Sequence, residues 1–103
     1  MSAAFDILEE ERQRLLELEA VYRRQLDKLP KGTLSYKQRW NKRYCYRAYR
    51  EAGKVRFVYI GPVDSHAVEQ TQKQIEERRT IEKQLKDVKR DLAEIDRSLR
   101  VRR

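Results

Sequence analysis

Two pairs of helix breakers divide this chain more firmly than any other feature: Pro30 with Gly32, and Gly61 with Pro62. Proline lacks the amide a helix needs and collides with the preceding turn, while glycine loses the most backbone entropy on ordering. A helix therefore stops at each pair, and the hydrophobic period changes there too. The breakers predict an N-terminal helical segment over 1–30, a middle segment over 31–61 and a C-terminal helical segment over 62–103.

Residues 1–30 read as a helix from about Ala3 to Lys28. Leu8, Leu15, Tyr22 and Leu29 recur every seven residues, with Phe5, Leu18 and Leu26 at the intervening steps. That is a coiled-coil seam, although Arg12 falls where the stripe should be apolar. Ser2 is the expected N-cap. The C-terminal segment reads as a longer helix from Asp64 or Ser65 to near Arg102, capped by whichever of those two begins it. Ile81, Leu85, Val88, Leu92, Ile95 and Leu99 alternate four and three apart, a heptad stripe, and Arg78 interrupts the looser pattern upstream. At 1.5 Å per residue the second helix outreaches the first by roughly 18 Å. With that excess placed at its C-terminal end, the stripe runs uncovered through Leu92, Ile95 and Leu99, and Leu85, Val88, Leu92, Ile95 and Leu99 are the expected dimerisation residues. The expectation is a homodimer along it, with a tetramer left open.

Between the breakers the period falls to about two. Thr33–Arg39, Arg43–Arg50 and Val55–Ile60 read as three short strands rich in Tyr, Val and Phe. Asn41-Lys42 is expected to turn the first pair. In the second turn, a two-residue type I′ form needs positive φ at Ala52, which a Cβ disfavours. A type I turn with Gly53 in a left-handed bulge avoids that and pairs Arg50 with Lys54. Cys45, Arg47, Tyr49, Val55, Phe57 and Tyr59 then share one face, and Tyr44, Tyr46, Ala48, Arg56, Val58 and Ile60 the other. The fold class is thus α+β: an antiparallel helical hairpin, a coiled coil, with a three-stranded antiparallel β-meander inserted at its tip.

Charge follows the same boundaries. The net charge of +8 divides as −2 over 1–30, +8 over 31–60 and +2 over 61–103. The middle segment holds nine Lys and Arg against Glu51 alone, with five of the six tyrosines, Trp40 and Phe57. Both helices mix signs, as solvated faces do, but the middle segment does not.

The run Tyr44-Cys45-Tyr46-Arg47-Ala48-Tyr49-Arg50-Glu51-Ala52-Gly53-Lys54-Val55, then Val58-Tyr59-Ile60-Gly61, resembles a "YYYxxYREGGKVxxxYIG" hairpin. That element occurs in small uncharacterised bacterial and archaeal proteins, several associated with mobile or defence genes. Lys31-Gly32-Thr33-Leu34 is similar to the "KGSL" lead-in before it. Cys45 replaces the middle Tyr of the triplet and Ala52 replaces a Gly. The resemblance implies a hairpin and a prokaryotic or phage setting, and it implies no particular activity.

The residues give catalysis little footing. His66, the only histidine, falls at a helix start without oriented partners, as a general base requires. Cys45 is alone; neighbouring cations would lower its pKa, but a half-buried strand cysteine is the plainer reading. No glycine loop for phosphate and no metal-ligand spacing is present, so neither enzyme chemistry nor a cofactor is expected. The longest apolar run, Phe57-Val58-Tyr59-Ile60, is far short of a membrane span, and the acidic first twenty residues do not resemble a signal peptide. A lone cysteine suits a reducing cytoplasm.

The basic aromatic segment carries the functional expectation. Cations draw phosphates and release counterions, and flat rings stack on unpaired bases; a two-stranded ribbon also fits a major groove. The candidates for binding DNA or RNA are Arg39, Trp40, Lys42, Arg43, Tyr44, Tyr46, Arg47, Tyr49, Arg50, Lys54 and Arg56. A plainer alternative makes about half the tyrosines the core of the sheet. The competing function is a structural or interaction adaptor, antitoxin-like or a scaffold, whose sheet docks on an acidic protein. Exposure of the aromatic rings separates the two.

Overall fold

The computed structural model describes residues 3–101, and the Ser2 cap and the helix end near Arg102 lie outside them. The element order is α1 (Ala3–Asp27), β1 (Thr33–Arg39), β2 (Lys42–Glu51), β3 (Lys54–Pro62) and α2 (His66–Val101). The chain is α+β, with one antiparallel sheet ordered β1-β2-β3. It divides into two compact units, one of residues 1–28 and 80–103 and one of residues 29–79.

In the first unit α1 packs along the second part of α2. Leu15 is buried with Val88 and Leu92, and Leu16, Leu18, Tyr22 and Ile95 close around them. Arg12, the polar interruption of the stripe, has a reason to be there: its Nε donates to Asp96 Oδ1 at 2.8 Å. Leu85 and Leu99 are buried as well. The stripe assigned to a second copy is therefore covered within one chain. The length arithmetic was sound, for α2 has 36 residues and α1 has 25. The excess of α2 falls at its N-terminal end instead, where residues 66–79 belong with the sheet.

In the second unit Ser65, rather than Asp64, caps α2. Its Oγ accepts from the Val68 amide at 3.4 Å and its carbonyl from the Glu69 amide at 3.3 Å. Arg78, the other interruption, donates through Nη1 to the Leu29 carbonyl at 2.8 Å, tying down the chain just before the Pro30 breaker. Gly32 is required where it stands: at φ 113° a Cβ would collide with the Ala48 carbonyl oxygen.

Both turns differ from the sequence expectation. Arg39 pairs with Lys42, so Trp40 and Asn41 form the first turn rather than Asn41-Lys42. Glu51 pairs with Lys54, and Ala52 and Gly53 take φ 51° and 77°, the type I′ form that the Ala52 Cβ argued against. The whole hairpin thus shifts by one residue, which exchanges the faces of β3. Tyr46 lies opposite Tyr59, Ala48 opposite Phe57 and Arg50 opposite Val55, while Arg47 faces Val58 and Tyr49 faces Arg56. A bulge at Ile60 then resets the ladder to Cys45 opposite Gly61.

Candidate nucleic-acid interface

One face of the sheet turns toward α2 within its unit and the other is open. The inner face carries Leu34, Tyr36, Cys45, Arg47, Tyr49, Arg56 and Val58. Cys45 is wholly buried there, and Leu34 and Tyr36 line a cleft with Gln72 and Ile75 of α2. Burial pushes the Cys45 thiol up from its ordinary value, and no neighbouring cation offsets this. Cys45 is thus more deeply buried than the expected half-buried strand cysteine, and a raised pKa makes it a poor nucleophile.

The open face carries Lys37, Arg39, Lys42, Tyr44, Tyr46, Ala48, Arg50, Val55, Phe57 and Tyr59. Trp40 at the adjoining turn is 96% exposed and Phe57 and Tyr59 are each 52% exposed, while Tyr44 and Tyr46 are half-buried. Two of the five tyrosines of the segment, Tyr36 and Tyr49, lie on the inner face; none of the five is fully buried, and Cys45 is the wholly buried side chain there. At the end of the sheet marked by the first turn, Arg39, Trp40, Tyr44, Tyr46 and Tyr59 line one shallow cleft of about 310 Å³. The Tyr59 ring stands 6.2 Å from Tyr44 and 5.4 Å from Tyr46, tilted by 55° and 59°. Rings so tilted meet edge toward face rather than stacked face to face.

Cations are set among these rings. Lys37 Nζ lies 5.2 Å from the Tyr46 ring centre and 4.6 Å from that of Phe57, so it reaches across the open face. Ion pairs among the described residues lie on the helices: Arg12 with Asp96, Arg14 with Glu11, Arg23 with Glu19, Lys73 with Glu69, and Arg90 with Asp87 and Asp91.

Of the eleven candidates, the cleft gathers Arg39, Trp40, Tyr44 and Tyr46, with Lys42 and Arg50 on the same face. Arg43, Arg47, Tyr49, Lys54 and Arg56 belong to the opposite face. Arg47 is moreover engaged, donating to the Lys31 carbonyl at 2.7 Å and lying 4.5 Å over the Tyr49 ring. Arg43 lies 5.5 Å over Tyr36. Sequence reasoning missed Lys37, Phe57 and Tyr59; the one-residue shift brings Phe57 and Tyr59 onto the open face, where Lys37 of β1 lies in either register. The facing of Tyr46 and Tyr59 as an aromatic cross-strand pair was the signal that could have found them.

The fold and this face define a small α+β chain with an accessible cationic aromatic sheet. The family model for a domain of unknown function, DUF6788, matches residues 6–72, and the chain belongs to that family. The match spans most of α1, the whole sheet and the first turns of α2. No curated protein and no solved structure matches the chain.

Proposed function

We propose that this chain is a non-enzymatic nucleic-acid-binding protein that uses the open face of its sheet. The observation that carries this reading is the cleft of Arg39, Trp40, Tyr44, Tyr46 and Tyr59, where accessible rings and an arginine converge. Trp40 adds weight. It is almost fully exposed and sits at φ 58°, a conformation that costs a residue with a Cβ on the order of 1–2 kcal/mol. Strain held by an exposed ring at a turn fits a site shaped for a ligand. The surrounding cations supply the sequence-independent attraction to phosphate. An acidic protein could use the same charge, but it would gain less from rings set open at one end of the sheet, so the adaptor reading ranks second.

The test is fluorescence anisotropy with labelled single-stranded and duplex oligonucleotides over a salt series. Affinity should fall steeply as salt rises, and Arg39→Glu/Lys42→Glu should weaken binding by about tenfold or more. Lys54→Glu/Arg56→Glu, on the other face, should weaken it much less. No binding of either form at about 50 mM salt would overturn the proposal.

A further inference from the structure

We propose that the open face selects unpaired nucleotides over duplex, with one base stacked against Trp40 in the cleft it shares with Tyr44, Tyr46 and Tyr59. This rests on the nucleic-acid reading above and goes beyond it by naming the form of the ligand. In a duplex the base faces are hidden in the stack and only their edges reach the grooves. A ring-lined cleft then meets phosphate alone, and its aromatic surface gains nothing. A single strand offers both a base face and a flexible backbone, and stacking on aromatic side chains is tolerant of sequence.

The placement of the cations fits a strand rather than a groove. Arg39 lines the cleft, Lys42 is its cross-strand partner, and Lys37 follows on the same face of β1. Phosphates flanking a stacked base can therefore be met on the face that stacks it. Phe57, half-exposed on β3 next to Lys37, continues the apolar surface beyond Tyr59 for a second base. A two-stranded ribbon can enter a major groove, but here the rings lie across a three-stranded sheet and one of its outer strands supplies Tyr59.

Trp40 is the only tryptophan, so the whole protein reports on its own site. Intrinsic fluorescence is titrated with an oligothymidylate of about twenty nucleotides and with a mixed-sequence duplex of the same length, alongside anisotropy. The single strand should bind at least about tenfold more tightly and quench Trp40 emission. By anisotropy, Trp40→Ala should lose about tenfold in single-strand affinity, whereas Trp40→Phe should keep most of it. Because no charge is removed, the salt dependence of Trp40→Ala should match that of the unsubstituted protein. Circular dichroism verifies that each variant keeps its fold, as expected for so exposed a side chain. Equal or tighter duplex binding, or Trp40→Ala binding like the unsubstituted protein, would overturn the stacking inference alone. Binding of neither oligonucleotide would overturn the nucleic-acid reading with it.

Discussion

Ala52 and Trp40 are the two residues with a Cβ that take positive φ among those described, and each opens a hairpin turn. They stand in different situations. Trp40 reaches into the candidate cleft, whereas Ala52 shows its methyl to solvent at the far turn. The strain at Ala52 is offset by what the type I′ turn allows: Tyr46 facing Tyr59, and Lys37 over both Tyr46 and Phe57. Cross-strand contacts of this kind contribute roughly 0.2–1 kcal/mol each, so two or three are of the same order as one unfavourable φ. Local preference at a single alanine was legible in the sequence; the sum of ring contacts across the ladder was not, and it decided the register. Replacing Ala52→Gly should accordingly stabilise the protein by about 1 kcal/mol and raise its thermal midpoint by several degrees. Unfolding followed by circular dichroism checks this, and an unchanged or lower midpoint would mean that the turn is not strained.

At the scale of elements, the helices and strands were readable because breakers, caps and periods agree. Ser65, Pro30 with Gly32 and Gly61 with Pro62 bound them to within a residue or two of the observed limits. Which stretch of the long helix meets the short one was not readable. A heptad stripe specifies a seam but not its partner, and the contacts of Arg12 with Asp96 and of Leu15 with Leu92 settle it. The polar positions that broke the stripe were in fact informative, since Arg12 and Arg78 each reach a specific acceptor. Leu92→Asp should therefore unfold the helical unit, losing roughly 3 kcal/mol or more together with much of the helical signal. Circular dichroism and light scattering together distinguish the cases. Retained helicity with a halved molar mass would show that the stripe lies between copies after all.

For the whole molecule, the net charge of +8 describes little until it is located. The helical segments come close to balancing their charges, whereas the sheet segment holds nine cations against Glu51 alone. Among those residues no helix is long and apolar enough to cross a membrane, and no cluster of His, Cys, Asp and Glu could hold a metal ion. The concentration of charge and rings in the middle segment was legible from the sequence alone. Its division into an open face and an inner packing face was not, because that depends on a one-residue register. Binding at the open face is tested most directly by a heteronuclear NMR titration with an oligothymidylate. The Trp40 indole resonance and the signals of Lys37, Arg39, Tyr44, Tyr46 and Tyr59 should shift and saturate together. Saturation that leaves the Trp40 indole unmoved while residues of α1 or α2 shift would contradict it.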